Sequence, residues 1–303
     1  MQECLAKSRR IKSPLMLRPS RCVLAGVAAI LMTAATGAVA SEPEDCQLAT
    51  PEAQRVAAVL ASGASTPYRG TILVEYSGKR EFVAVEESGA TGQLTLRHLN
   101  RAANAAPEVR QINSLPARTP CLLANFYGFS IDSGQIVAGR ETYRLSIRPK
   151  DTLRLGYVMD VDRATDVPLR VLTLTPEGQM LERFEFAQFE PLEVRPPFPR
   201  QKQSIQQPSM GFGLATLPPG FRVINSGISP VEYWLLSDGL AAMSVYVEPR
   251  AQTVKPGEGV VVRGATLTYT KGTTEQTQVT VVGEVPVTTA RLVAEAVRSS
   301  EAP

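Results

Sequence analysis

The alternation of apolar and polar residues along the chain predicts mainly antiparallel β-structure. One amphipathic helix comes first: Thr50 and Pro51 begin it, apolar residues recur every three to four positions, and Gly63 ends it. Alternation with a period of two follows in residues 71–76 and 82–85, with a short turn between them. This arrangement indicates a helix followed by a β-hairpin.

Further strands follow each other without helices between them. Residues 143–148 and 154–162 alternate in polarity, which is typical of strands with one buried face. Residues 171–175 and 181–189 predict another hairpin around the turn at residues 176–178. Consecutive strands joined by short turns form an antiparallel meander rather than a parallel sheet with crossover helices.

A segment dense in Pro and Gln divides the chain. We predict a linker at residues 195–212, because such a composition cannot form a packed element. The linker separates a large domain, residues 41–194, from a small C-terminal domain, residues 213–303. In the small domain the pattern predicts four strands and a closing helix from about Thr288 to Ser299.

The first 40 residues are predicted to be a signal peptide for export. Six cations precede an apolar run from Cys22 to Ala35, and the small residues at 38–40 predict cleavage before Ser41. An uncleaved membrane anchor is the alternative, because residues 22–40 carry no charge. The run is mostly Ala, Gly and Thr, however, whereas a spanning helix needs roughly 20 strongly apolar residues.

The positive charge of the chain belongs to this leader. The whole sequence has 32 basic and 29 acidic residues, a net charge of +3. Removing the six basic residues of the leader and Glu3 leaves 26 basic and 28 acidic residues, a charge of −2. Overall charge therefore gives no support for nucleic-acid binding, which depends on cationic side chains that neutralise phosphates.

Export also bears on the cysteines. Cys4 and Cys22 leave with the leader, whereas Cys46 and Cys121 remain, an even number for an oxidising compartment. Two cysteines permit one pairing, so Cys46 and Cys121 are a candidate disulfide. The sequence leaves open whether they lie close enough to form it.

Groups for catalysis and metal binding are scarce. The only histidine is His98, in a polar stretch where a surface position is the ordinary outcome. The sequence contains no serine-hydrolase elbow, zinc-protease, phosphate-loop or paired-cysteine motif. Asp160, Asp162 and Asp166 lack the Gly and distal Glu of a calcium loop, and we assign them to a solvated strand face and its turn. The prediction is no enzyme, no catalytic residue, no metal site and no cofactor.

Motifs in both predicted domains resemble one known family. They follow each other in the family's order: Tyr68-Arg-Gly-Thr-Ile-Leu-Val-Glu-Tyr76, Ile147-Arg-Pro-Lys-Asp151, Glu177-Gly-Gln-Met-Leu-Glu-Arg-Phe-Glu-Phe186, Leu217-Pro-Pro-Gly-Phe221 and Ser237-Asp-Gly-Leu240. Each motif alone is weak, but the ordered series is similar to the RseB/MucB regulators of the envelope-stress sigma factor pathway.

The resemblance implies both a fold and a function. The fold is of the α+β class: a large lipoprotein-carrier-like domain, which is a half-open antiparallel β-barrel with helices, and a small C-terminal α+β domain. The function is that of a periplasmic negative regulator. It binds the periplasmic part of a membrane anti-sigma factor, protects it from proteolysis, and releases it on lipid or lipopolysaccharide signals. Between Gly78 and Arg118 the chain looks shortened and Ala-rich compared with the family, in a stretch that borders the mouth of the large domain.

Two alternative functions stay open at this stage. A periplasmic lipid or lipoprotein carrier needs only the large domain, and an enzyme of the envelope would depend on His98. The oligomeric state is also open, and the chain can be a homo-oligomer.

Aromatic residues are the candidates for binding sites. The lipid-pocket candidates are Tyr76, Phe82, Tyr157, Phe184 and Phe186. The partner-binding candidates are Tyr233, Trp234 and Tyr246. Core packing is the other role that aromatic residues in strands can have, and a single Trp fits the centre of a small core as well as it fits a partner anchor.

Overall fold

The computed structural model describes nine stretches of the chain, all within one compact unit, Asp45–Pro303. The described residues are 50–62, 66–88, 93–100, 108–111, 120–193, 211–228, 231–249, 257–274 and 277–299. The described helices are α1 (Pro51–Ser62), α2 (Pro120–Phe126) and α3 (Val287–Ala296). None of the described helices has the length and apolar character needed to span a membrane.

Nine strands of the described residues form the large sheet. They are β1 (Tyr68–Tyr76), β2 (Lys79–Ser88), β3 (Gln93–His98), β4 (Glu108–Gln111), β5 (Tyr127–Ser133), β6 (Thr142–Pro149), β7 (Gly156–Asp162), β8 (Pro168–Leu174) and β9 (Met180–Pro191). Their order in the sheet is β4-β3-β2-β1-β9-β8-β7-β6-β5. All pairs are antiparallel, and the end strands β4 and β5 do not pair with each other. The predicted open antiparallel sheet is therefore confirmed.

Eight strands of the described stretches belong to the C-terminal part. They are β10 (Phe212–Leu214), β11 (Arg222–Ile228), β12 (Glu232–Ser237), β13 (Ala242–Pro249), β14 (Glu258–Arg263), β15 (Thr266–Thr274), β16 (Thr277–Gly283) and β17 (Val297–Ser299). The small sheet has the order β11-β12-β13-β16-β15-β14, and β10 pairs with β17. With α3 this confirms the predicted α+β class, a large sheet and a smaller one.

The predicted domain limits remain a prediction. Of the linker at residues 195–212, only Gly211 and Phe212 lie within the described residues, and Phe212 begins β10. The predicted signal peptide, residues 1–40, lies outside the described residues as well.

Helices cover one face of each sheet. In the large sheet, the buried residues Val56 and Val59 of α1 and Leu123 of α2 pack on alternate residues of β6 and β7. In the small sheet, Ala290 and Val293 of α3 pack on alternate residues of β12, β13, β15 and β16. The alternating apolar and polar residues of the strands thus lie on the covered and the uncovered face of each sheet, respectively.

Opposite charges cross the uncovered face of the large sheet from strand to strand. The series is Arg144 (β6), Asp160 (β7), Arg170 (β8), Glu185 and Arg183 (β9), Glu75 (β1) and Arg80 (β2). Adjacent strands bring the partners together because opposing residues of an antiparallel pair lie side by side. Arg144 Nε is 3.0 Å from Asp160 Oδ1, for example, and Arg170 binds the same carboxylate.

The prediction that Asp160 and Asp162 lie on a solvated face is wrong. Asp160 has no exposed surface, because Arg144 and Arg170 of the flanking strands cover it. Asp162 is 2% exposed and accepts two hydrogen bonds of 2.8 Å from Arg140. Burial alone would raise the pKa of Asp162, but the hydrogen bonds from Arg140 and Thr165 and the charge of Arg140 together outweigh it and lower that pKa.

One carboxyl group lies on the covered face of the large sheet. Glu87 of β2 is 4% exposed, and its Oε2 has no hydrogen-bond partner within the described part of the chain. Burial raises the pKa of Glu87 to about 7. Burial, and secondarily the charge of Glu87, also raise the pKa of Tyr68 to about 12.

We expect the protonated form of Glu87 to stabilise the fold. Its pKa rises from 4.5 to about 7 on folding, so the stabilisation is complete below pH 4.5 and is lost as the pH rises to 7. Glu87→Gln should therefore raise the free energy of unfolding by roughly 1 to 3 kcal/mol at pH 8 and much less at pH 5. Urea unfolding at both pH values measures this difference.

The neighbouring residue supplies the control for this prediction. Glu86 is exposed on the other face of β2, so Glu86→Gln should leave the pH dependence of unfolding unchanged. Equal effects of Glu87→Gln at pH 5 and pH 8 would contradict the assignment.

Candidate functional site

The junction between the two sheets is built around a buried arginine. Arg154 lies in the loop between β6 and β7 and has no exposed surface. Its Nε donates to Asp238 Oδ2 at 2.9 Å, in the turn between β12 and β13. Its Nη1 donates to Asp151, and its Nη2 donates to the carbonyl of Pro219, which precedes β11. One guanidinium thus joins three segments from both sides of the junction.

Aromatic rings enclose the same guanidinium. The centre of the guanidinium lies 4.3 Å from the ring centre of Phe126 and 5.2 Å from that of Phe221. These are cation–π distances, which favour a desolvated charge. The turn before Phe221 needs glycine at Gly220, because its φ is +86° and a Cβ there would lie 2.6 Å from the Phe126 ring and 2.7 Å from Arg154.

Asp238 is satisfied on both carboxylate oxygens. Besides the bond from Arg154, Oδ2 accepts a hydrogen bond of 2.8 Å from the hydroxyl of Tyr127 at the start of β5. Oδ1 accepts from the backbone N–H groups of Leu240 and Ala241, at 2.9 and 2.8 Å. Burial, and then the charge of Asp238, raise the pKa of Tyr127 far above its ordinary value, so the hydroxyl stays a donor.

A second contact joins the sheets at the turn between β14 and β15, which we call the hairpin tip (residues 263–266). Ala265 is 5% exposed, belongs to the core of the large sheet, and donates its N–H to Glu182 Oε2 at 3.1 Å. Arg263 Nη2 donates to the hydroxyl of Tyr76 at 2.8 Å. Gly264 has a φ of +61°, which favours glycine, and a Cβ there would lie 2.1 Å from Glu182 Oε2, so a larger residue would strain the turn and displace that carboxylate.

The hairpin tip connects to the only histidine. The Tyr76 hydroxyl donates to Glu81 Oε1 at 2.5 Å, and His98 Nδ1 lies 3.1 Å from Glu81 Oε2. The His98 side chain is 20% exposed, so the expected surface position is only partly right. These contacts link His98 to the hairpin tip through Glu81 and Tyr76.

Two lipid-pocket candidates lie in one aromatic cluster. Phe184 and Phe186 of β9 have ring centres 5.3 Å apart, and Phe186 is edge-on to Tyr68 at 5.5 Å and to Phe189 at 5.0 Å. Phe186 is 2% exposed. The cluster lies on the same covered face of the large sheet as Ile72.

The other three lipid-pocket candidates lie elsewhere. Tyr157 is buried in the core under α1 and α2, and Tyr76 lies under the hairpin tip. Phe82 is 40% exposed and projects from the opposite face of β2. The structure thus brings two of the five residues together, and the lipid pocket remains a prediction.

The partner-binding candidates divide between the two faces of the small sheet. Trp234 is 5% exposed in the core under α3. Tyr233 and Tyr246 oppose each other on β12 and β13, on the uncovered face, with ring centres 6.5 Å apart. Gly227 of β11 leaves room for this arrangement, since a Cβ there would lie 3.0 Å from the Tyr233 ring.

The described residues offer little for a disulfide or a metal. Cys46 and the side chain of Cys121 lie outside the described residues, so their bridge remains a prediction. Within the described stretches, no three His, Cys, Asp or Glu side chains form a group that could hold a metal ion.

Sequence reasoning missed two features of the junction. The pattern gave no signal for Arg154, because a charged residue in a loop is ordinarily exposed. The sequence analysis also did not predict β14, although the run Val260-Val261-Val262 has high β-propensity. The burial of Arg154 depends on segments that are distant in sequence, whereas β14 pairs with the adjacent strand β15 and has a local signal.

In comparisons with known proteins, the parts of the chain that form the two sheets match models of one family. The family models "MucB/RseB N-terminal domain" and "MucB/RseB C-terminal domain" match residues 84–208 and 206–298. The sigma factor AlgU regulatory protein MucB of Pseudomonas aeruginosa is 34% identical over 204 residues, 60% of this chain and 64% of that protein. The sigma-E factor regulatory protein RseB of Escherichia coli K12 is 24% identical over 198 residues, 58% of this chain and 60% of that protein. The chain spans less than two thirds of the length of these relatives.

Solved structures give the same result at the level of the fold. The complex of Pseudomonas aeruginosa MucA and MucB matches with a TM-score of 0.64 and 27% identity, covering 84% of this chain and all of that one. A structure of MucB in complex with MucA(peri) matches with a TM-score of 0.63 and 27% identity, covering 83% of this chain and all of that one.

We expect Arg154 to be the most sensitive charged residue of the junction. Arg154→Met leaves Asp238 buried without its charged partner and should lower the free energy of unfolding by about 3 to 5 kcal/mol. The matched change Arg183→Met, at a partly exposed position, should cost about 1 kcal/mol or less. Urea unfolding followed by the fluorescence of the single Trp measures both.

A double variant separates lost charge pairing from lost packing at Arg154. Arg154→Met combined with Asp238→Asn removes the unpaired charge and should recover part of the loss. Equal losses in the Arg154 and Arg183 single variants would contradict the role of Arg154.

The two faces of β12 should respond differently to truncation. Trp234→Ala removes a core side chain and should lower the free energy of unfolding by about 3 to 5 kcal/mol. Tyr233→Ala, on the uncovered face, should cost about 1 kcal/mol or less. Urea unfolding followed by circular dichroism compares them, and similar losses would show that the faces are assigned wrongly.

Proposed function

Because the chain belongs to the MucB/RseB family, we propose that it is a periplasmic negative regulator of an envelope-stress sigma factor. It binds the periplasmic part of a membrane anti-sigma factor, protects that protein from proteolysis, and releases it on lipid or lipopolysaccharide signals. The observation that carries the proposal is that the likeness runs through both sheets, with family models over residues 84–298 and a MucB fold solved with MucA.

The arrangement of the two sheets supports regulation by binding. The junction at Arg154 and the hairpin tip sets how the small sheet lies on the large one. A ligand that prefers one such arrangement by about 1 to 3 kcal/mol changes the affinity for a partner by the corresponding factor. Tyr233 and Tyr246 present aromatic surface for that partner on the uncovered face of the small sheet.

A lipid or lipoprotein carrier is the second candidate function. The observation that favours it is the aromatic cluster around Phe186 on the covered face of an open sheet. Burying an acyl chain there would contribute about 0.8 kcal/mol per methylene group. Native mass spectrometry distinguishes the two: a carrier retains stoichiometric acyl ligand, whereas a regulator binds its protein partner without one.

We expect a direct complex with the anti-sigma factor. Residues 41–303, mixed with the purified periplasmic segment of the anti-sigma factor of the same organism, should form a complex of micromolar or higher affinity, about −8 kcal/mol or stronger. Isothermal titration calorimetry measures it, with an unrelated periplasmic protein as control. Addition of lipopolysaccharide should weaken the complex, and no heat of binding at tens of micromolar would contradict the proposal.

A further inference from the structure

β14 is an edge strand with an exposed apolar centre. It pairs with β15 on one side, and no described strand pairs with its other edge. The side chains of Val260, Val261 and Val262 are 45%, 68% and 54% exposed. Successive side chains of a strand point to opposite faces, so both faces of β14 are open as well as its edge.

Such an edge lacks the usual protection against pairing with another chain. Native edges carry a central charge, a proline or a bulge, or are covered by another element. The two charges of β14 stand at its ends and are engaged: Glu258 with Lys271 and Arg291, and Arg263 with Tyr76. The opposite edge strand of the same sheet, β11, has a register irregularity between Val223 and Asn225, as a protected edge should.

The hairpin tip holds this edge in a fixed place. Arg263, the last residue of β14, bonds to Tyr76 of the large sheet, and Ala265 is buried against the same sheet. A strand added to β14 therefore runs along the small sheet and meets the large sheet at the Arg263 end. The edge is preorganised, which lowers the entropic cost of binding an extended segment.

We propose that β14 receives an added strand from an extended segment of the anti-sigma factor's periplasmic part, which rests on the function proposed above. Main-chain hydrogen bonds to the open edge supply affinity, as in other cases of strand addition. The three valines select a segment with uncharged, apolar or β-branched side chains at its centre on both faces.

The size of the edge favours a peptide segment over a second copy of the chain. A six-residue strand is about 20 Å long, and its edge alone offers far less than the roughly 800 Å² per partner that a stable complex buries. A flexible segment can continue from the strand onto the large sheet at the Arg263 end, where the two sheets meet. Two folded copies that met only through this edge would lack that additional surface.

Substitution at the centre of the edge tests the proposal. Val261→Lys places a charge at the most exposed valine and should weaken binding of the purified anti-sigma segment at least tenfold, as measured by calorimetry with residues 41–303. Val261→Thr keeps a β-branched side chain and should bind within about threefold of the original chain. Ile136→Lys, a 75% exposed position between β5 and β6 of the large sheet, is the control and should leave binding unchanged.

Hydrogen exchange gives a readout that does not depend on any variant. In the complex, amide exchange should slow in residues 258–263. Full binding by Val261→Lys, or a complex without protection of residues 258–263, would overturn the strand addition while leaving the proposed function intact. If the original chain is a dimer and Val261→Lys makes it a monomer, then a second copy of the chain pairs with β14, which would contradict the proposal. No binding by the original chain would overturn both.

Discussion

The arrangement of the two sheets depends on the buried charge of Arg154. A guanidinium without exposed surface costs several kcal/mol unless its charge and donors are paired. Its partners come from both sides: Asp151 and the Phe126 ring from the large sheet's part of the chain, Asp238 and the Pro219 carbonyl from the small sheet's part. Neither part satisfies Arg154 alone, which accounts physically for one compact unit that contains both sheets.

The hairpin tip adds a contact of a different kind. At Arg154 charge compensation dominates, whereas at the tip Ala265 fills a place in the large core and Glu182 binds its N–H. Because β14 ends at the tip, the contact of the tip with the large sheet also determines where the open edge of β14 lies. A protein strand on β14 would therefore act on a hairpin that contacts the large sheet at Tyr76 and Glu182. This gives a physical route by which partner binding and the arrangement of the two sheets can influence each other.

The faces of the sheets separate roles that sequence reasoning had grouped together. Trp234 and Tyr233 are neighbours in sequence, yet one lies in the core under α3 and the other on the uncovered face. Phe184 and Phe186 share a cluster, whereas Phe82 projects from the other side of the large sheet. An aromatic residue in a strand is informative about binding only when its face is known, because adjacent residues point in opposite directions.

The sequence by itself determined the secondary structure pattern and the family: the amphipathic α1 and α3, the antiparallel strands with one buried face, and the ordered motifs in both domains. These features follow from local alternation and short motifs, which a single stretch of chain contains. Only the tertiary structure decided the surroundings of Asp160, Arg154 and β14. Asp160 is covered by arginines of two other strands, Arg154 is paired across the junction, and β14 is an edge because no described strand pairs beyond it. Burial and pairing of this kind depend on which distant segments come into contact, and the local pattern of polarity does not show this.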